Sequence, residues 1–356
     1  MITEEQILNA LSTVEEPDLK EDLVTLKMIE NITIEHKNIA FTVILTTPAC
    51  PLKEKIETDC ILAIKKYLND DELQITITMV ARTTSRATNT GDFLPNVKNI
   101  LLVSSGKGGV GKSTVASNLA IAFGKMGAKV GLLDADIYGP SLPILFNLQG
   151  KRPQMQSIDG KDKIIPIQKY GVDCISIGLL IDESQAVVWR GPMATSALRQ
   201  FLTDVEWGEL DYLVVDLPPG TGDIHLSIAS MLKVAGAIVV TTPPKIAVAD
   251  ARKGAAMFAM PQINIPILGV VENMAYFTPE AHPNEKYYLF GQGGGKQLAQ
   301  ELNVELLAEL PMVQAVAESV DNGLPAVNDD KSMLSPIFKR LAQRLAQLLA
   351  IQNAQV

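Results

Sequence analysis

Gly106-Lys107-Gly108-Gly109-Val110-Gly111-Lys112-Ser113-Thr114 is the stretch that decides how this chain is read. It satisfies the phosphate-binding loop pattern G-x-x-x-x-G-K-[ST] and carries a second lysine, Lys107, inside the loop. The pattern needs a strand before it and a helix after it. Asn99 to Val103 is a short apolar run that reads as a buried strand, and Val115 to Met126 has helix-forming composition with Gly127 as its stop. Glycines at 106, 108, 109 and 111 let successive N–H groups turn toward one anion, and the following helix adds its positive end. Lys112 is then expected at the β- and γ-phosphates, with the Ser113 hydroxyl on Mg²⁺.

Composition sets the frame around this loop. With 356 residues and 47% hydrophobic content, the chain can bury more than one core, so two domains are expected. A net charge of −9 argues against a broad nucleic-acid footprint. No apolar run is long enough to span a bilayer, and Met1 to Ala10 lacks a signal-peptide core. These features predict a cytoplasmic protein without nucleic-acid or membrane partners. Cys50, Cys60 and Cys174 are too few and too scattered for a disulfide scaffold.

The turn-rich segment Arg82 to Asn96 reads as a linker, giving a front domain over 1–85, a linker over 86–96 and a rear domain over 97–356. In front, a helix is expected at Glu4 to Val14, paired strands at Ile29 to Glu35 and Ile39 to Thr46, a helix at Pro51 to Leu68 and a strand at Leu73 to Val80. That is a small α+β unit. Behind, apolar runs recur at Lys129 to Leu133, Asp211 to Val215, Ala237 to Thr242, Ile265 to Val271 and Val304 to Leu310, with helices between them. The alternation predicts an α/β, doubly wound, mainly parallel sheet of the P-loop NTPase type, its ligand at the carboxyl ends of the strands.

Two further segments deliver carboxylates to that edge. The strand ending at Leu133 runs into Asp134-Ala135-Asp136-Ile137-Tyr138-Gly139-Pro140-Ser141. If the segment stays extended, Asp134 and Asp136 face one side and can orient water or metal; Asp-rich strand ends are equally good turn starters. The strand ending at Val215 delivers Asp216, followed by Leu217-Pro218-Pro219-Gly220-Thr221-Gly222-Asp223. Four apolar residues and an aspartate form a Walker B element, whose carboxylate supports Mg²⁺.

Lys107, these two carboxylate segments and Glu272-Asn273-Met274 together resemble the Mrp/ApbC family of iron-sulfur cluster carrier ATPases, a deviant Walker A branch that also holds MinD and ParA. Residues 1 to about 85 resemble the PaaD/SufT-type domain, with Thr46-Thr47-Pro48-Ala49-Cys50-Pro51 as the matching signature. The resemblance implies a homodimer that binds and weakly hydrolyses ATP and exchanges clusters with iron-sulfur donor and recipient proteins. It implies Lys107 reaching the partner subunit's phosphates, Asp136 positioning water, Asp134 on the metal side and Asn273 reading adenine. Lys107, Lys112 and Asp136 are thus the catalytic candidates; Gly106 to Thr114 and Asn273 the nucleotide ligands; Ser113, Asp134 and Asp216 the Mg²⁺ set.

The family's Cys-x-x-Cys pair after Glu-Asn-Met is absent here; the stretch Ala275 to Gly291 holds no cysteine. Glu280, His282 and Glu285 are the polar residues available in it. Cys50 precedes Pro51 at an expected helix start, where the helix dipole would lower its pKa and favour iron-sulfur binding or reactivity; a small apolar core residue is the other reading. Cys60, ten residues on, would sit about 15 Å away along the helix axis, and Cys174 lies in the apolar run Val172 to Ile177. The last helix, Met333 to Gln352, stripes Ile337, Leu341, Leu345 and Leu348, which suits either core packing or a membrane surface. The reading that follows is an ATP-dependent iron-sulfur carrier or scaffold. Its rivals are a MinD/ParA-like positioning ATPase and a nucleotide-gated interaction module without cluster transfer.

Overall fold

The computed structural model describes residues 2–85, 93–181, 191–279, 282, 285–314 and 322–355. The chain divides into two compact units, Met1–Ser85 with Leu345–Val356, and Arg86–Arg344. In the front unit α1 (Glu4–Leu11) opens on a capping box: the Thr3 hydroxyl accepts from the Gln6 N–H, and the Gln6 side chain accepts from the Thr3 N–H. Two-residue strands β1 (Glu15–Glu16) and β2 (Glu21–Asp22) follow, then β3 (Ile29–Glu35), β4 (Asn38–Leu45), α2 (Lys53–Leu68) and β5 (Gln74–Ala81). β4 pairs antiparallel with β3 and parallel with β5, so α2 serves as the crossover that a parallel pair requires. Alternation along β4 puts Ile39, Phe41 and Val43 into the core with Ile7, Leu11, Ile56 and Ile64. Two boundaries differ from the sequence reading. α1 stops at Leu11, where Ser12 caps it, and α2 starts at Lys53 because Pro51 and Leu52 are spent in a turn.

The rear unit begins its described chain at Phe93. Leu94 already packs in the rear core, so the expected linker is partly domain, and 86–92 lie outside the described residues. The elements are β6 (Val97–Ser105), α3 (Lys112–Lys125), β7 (Val130–Asp134), α4 (Leu142–Leu145), β8 (Gln154–Ile158), β9 (Lys161–Ile165), β10 (Ile167–Lys169), β11 (Val172–Ser176) and α5 (Gly191–Thr203). They continue with β12 (Leu210–Asp216), α6 (Asp223–Met231), β13 (Val234–Thr241), α7 (Lys245–Phe258), β14 (Ile267–Glu272), α8 (Gly294–Glu301), β15 (Glu305–Glu309) and the first part of α9 (Ser335–Ala354), whose residues from Leu345 on belong to the front unit. Eight strands form one sheet in the order β10-β11-β7-β12-β6-β13-β14-β15, parallel except for β10. β12 and β13 are buried along their whole length, the signature of a sheet covered on both faces. Under it the Phe123 ring of α3 stacks on Tyr212 of β12 with centroids 4.2 Å apart.

The β8–β9 hairpin was missed in the sequence, although Asp159-Gly160, both at positive φ, is a standard two-residue hairpin turn. The run around Cys174 is β11, and it supplies the edge that carries β10. In α9 the buried stripe is Phe338, Leu341, Leu345 and Leu349, while Ile337 and Leu348 are only half-buried. Its apolar face is therefore core. Phe338→Ala should remove about 3–5 kcal/mol from the stability of the rear unit, read as a lowered urea midpoint with the m-value unchanged.

Candidate nucleotide site

β6 lies between β13 and β12, and β12 pairs with both β6 and β7, with Asp216 level with Val103 on one side and Asp134 on the other. The strand register therefore puts the glycine loop and two carboxylates on one sheet edge. Each loop glycine with a contact has a stated reason to be glycine. A Cβ on Gly106 would come 2.0 Å from the Asp250 backbone of α7, and one on Gly111, at φ +81, would come 2.2 Å from the Asn273 amide. That amide donates to the Val110 carbonyl at 2.9 Å, so Asn273 at the end of β14 braces the loop from behind. Glu272 beside it, buried, accepts from the Gly295 N–H and so holds the start of α8. Neither bracing role was visible in the sequence, because each bond spans more than twenty residues.

Lys112 is 6% exposed and turns into the site rather than out of it. Its Nζ lies 2.5 Å from Asp216 Oδ1, 3.7 Å from Asp136 Oδ2 and 3.3 Å from Ser113 Oγ. Lys107, half-exposed, lines a cavity of about 320 Å³ with Gly108, Gly109, Gly111, Lys112, Ser113, Thr114 and Asp136. The expected residues thus converge, with one change. The chain after Asp134 turns instead of staying extended, as the Ile137 N–H bonds the Ala135 carbonyl and the Gly139 N–H that of Asp136. Asp134 and Asp136 consequently do different things. Asp134 accepts from the N–H groups of Asp136, Ser141 and Leu142 and from the Ser176 hydroxyl, all at 3.0–3.2 Å, and so pins the loop that aims Asp136 at Lys112.

Three carboxylates facing one ammonium leave surplus negative charge in a buried place. Burial first, and the Asp216 charge second, push the Asp134 pKa up to about 7. Burial also raises Asp136 and Asp216, against the pull of Lys112. Among the described residues, no group of three or more His, Cys, Asp or Glu is placed to hold a metal ion by itself. Glu280 lies outside the described residues, and His282 and Glu285 form an exposed pair at 3.5 Å.

The cysteines are free thiols, Cys60 and Cys174 buried and Cys50 half-buried. The helix-dipole expectation for Cys50 fails. With α2 starting at Lys53 the thiol sits outside the helix, and burial, then the nearby Asp18 and Glu16 charges, raise its pKa despite the Leu52 N–H. Burial pushes Cys60 up to about 12 and Cys174 well above its usual value.

A family profile described as NUBPL iron-transfer P-loop NTPase matches residues 96–346, and one described as iron-sulfur cluster assembly protein matches 4–77. The chain belongs to the NUBPL-type iron-transfer P-loop NTPases. Within that family it is 43% identical over 347 residues to an iron-sulfur cluster carrier protein of a Synechocystis species, covering 97% of this chain and 98% of that one. The carrier protein of Deinococcus radiodurans is 43% identical over 349 residues, covering 98% and 96%. Among solved structures, a nucleotide-binding protein from Archaeoglobus fulgidus in complex with ADP is 39% identical with a TM-score of 0.55, covering 65% of this chain and 88% of that one. The fold and its phosphate loop are thus those of a nucleotide-binding P-loop NTPase.

Two measurements check the electrostatics. Asp134 holds its proton to higher pH folded than unfolded, so its stabilisation is complete below its unfolded pKa of 3.8 and is lost as pH rises toward about 7. The stability advantage of nucleotide-free wild type over Asp134→Asn should shrink from pH 5 to pH 8 in thermal melts. Iodoacetamide should label Cys50 slowly at pH 7.5 and faster above pH 9, by roughly tenfold per pH unit below the thiol pKa, with Cys60 and Cys174 labelled only on unfolding.

Proposed function

We propose that this chain is a nucleotide-gated homodimeric ATPase that carries iron-sulfur clusters between donor and recipient proteins. The observation that carries it is Lys112 held 2.5 Å from Asp216 inside the phosphate-loop cavity. The Lys112 ammonium is paired with the Walker B carboxylate. A triphosphate in the loop would compete for Lys112, and Ser113 and Asp216 would then hold Mg²⁺. The surplus of carboxylates over cations suits that exchange, since a divalent ion offsets what Lys112 leaves behind. Mg²⁺ supplies Lewis-acid polarisation of the phosphates when bound.

Asp136, aimed by the Asp134-pinned loop, positions the attacking water, and hydrolysis is slow. Lys107, half-exposed on the cavity wall, is the residue placed to reach a partner's phosphates, and Asn273 contributes to nucleotide binding by bracing the loop and offering its amide toward adenine. A cluster on this protein is shared between chains, because a single chain presents one half-buried thiol, Cys50, and two buried ones. The front domain over 1–85 is the part that meets donors and recipients, and the protein works in the cytoplasm.

A second reading has its own observation. Tyr287, Tyr288, Leu289 and Phe290 are all exposed in the segment after β14 that contains no cysteine, which favours an interaction module gated by nucleotide without cluster transfer. Calorimetry with Mg-ATP should show saturable binding that Lys112→Ala abolishes, and Asp136→Asn should cut hydrolysis by roughly 10²-fold while binding persists. Anaerobic reconstitution with iron and sulfide should give a chromophore that Cys50→Ser loses. No chromophore in the wild type would select the second reading, and a flat Mg-ATP titration would overturn both.

A further inference from the structure

The corner that follows β14 is fastened from both sides. Leu310, just past β15, donates its N–H to the Glu272 carbonyl at 2.8 Å and accepts the Ala275 N–H at 2.9 Å, while the Asn273 N–H bonds the Thr241 carbonyl at 2.8 Å. These bonds pinch Asn273 and Met274 into a turn. Met274 takes φ +55 there, a left-handed conformation that a residue with a Cβ keeps only when its surroundings enforce it. The turn carries the Asn273 amide that donates to the Val110 carbonyl of the glycine loop. From this corner the chain runs out to an exposed apolar segment and returns. On the way out, Phe277 exchanges both backbone bonds with Tyr287, at 2.8 and 2.9 Å, and the Tyr276 ring meets Tyr288 edge-on with centroids 6.4 Å apart. Tyr287, Tyr288, Leu289 and Phe290 are exposed. On the way back the chain enters α8 through Gly293, at φ +77, Gly294 and Gly295. Glu272 receives it there. Its buried carboxylate accepts the Gly295 N–H, and the N–H groups of Gly293 and Lys296 face the same carboxylate, which suits a helix start whose first N–H groups have no partner in the helix. Side chains have no room at this seat: a Cβ on Gly295 would lie 2.6 Å from the Glu272 Cβ, and one on Gly294 would lie 2.9 Å from the Val248 side chain. The excursion therefore leaves from Ala275 and is closed by Glu272, so both of its ends are held within two residues of Asn273.

We infer that Glu272 is a positioning residue for the nucleotide: by closing the excursion onto the corner beside Asn273, its carboxylate couples the exposed segment 287–290 to the brace on the phosphate loop. The inference rests on the nucleotide reading above and names the contacts through which that segment senses an occupied loop. The linkage runs both ways, since whatever nucleotide does to the corner, a contact made at 287–290 does in reverse.

Hydrogen–deuterium exchange of the full-length protein with and without Mg-ADP, beside Mg-ADP calorimetry, tests it. In the wild type, Mg-ADP should slow exchange across 286–296 by about fivefold or more. In Glu272→Ala those amides should exchange faster in the free protein and lose their response to Mg-ADP, while β6 and β12 stay protected and so certify the fold. Mg-ADP affinity should fall about tenfold in Glu272→Ala and stay within about threefold in Glu272→Gln, whose carbonyl still accepts the Gly295 N–H. Gly295→Ala, which crowds the same seat from the helix side, should reproduce both effects and serves where Glu272→Ala does not fold. A merely structural carboxylate would loosen 286–296 in the variants and leave their nucleotide response intact, and that result would overturn the inference. Mg-ADP binding to the wild type without any change at 286–296 would overturn the coupling alone, whereas absent Mg-ADP binding would overturn the nucleotide reading and the coupling with it.

Discussion

One buried ammonium set against three carboxylates organises the rear domain. Lys112 cannot leave Asp216 without exposing an uncompensated charge in a place where burial already raises every neighbouring acid. That pairing fixes the Lys112 side chain within the site. It also makes the site responsive, because only a ligand that brings both anionic oxygens for Lys112 and a cation for the carboxylates can replace the resting pair on even terms. The strand register is what holds these charges together: Asp134, Asp216 and the end of β6 sit level on adjacent strands, at fixed spacing of about 4.8 Å.

Around this pair the chain divides its polar groups between shaping and reacting. Asp134, with both oxygens accepting bonds from its own loop, shapes. Asn273 and Glu272 shape from the other side, one bracing the Val110 carbonyl and the other the start of α8. Asp136 and Lys107 are left with fewer obligations and face the cavities.

The thiols follow a different logic. Two are buried deeply enough to be inert, and Cys50 is held protonated by burial and by acidic neighbours rather than activated by a helix. A thiol in that state becomes a metal ligand when the metal itself displaces the proton, so iron, rather than the local backbone, would supply the driving force. The family to which the chain belongs handles iron, and this chain's departure from the paired-cysteine pattern shifts attention to the contacts between chains.

The sequence by itself determined the architecture and most of the nucleotide site. Glycines, the two lysines and the aspartates following apolar runs are local signals, and a parallel sheet converts strand ends in sequence into neighbours in space. It could not determine what depends on distant pairing. The turn that separates the duties of Asp134 and Asp136 is stabilised by Ser176, forty-two positions away, and the loop brace from Asn273 spans 163. The state of Cys50 depended on where α2 begins and on which acids fold back beside it. Burial, charge proximity and unsatisfied hydrogen bonds are properties of the packed chain, so only the tertiary structure decided them.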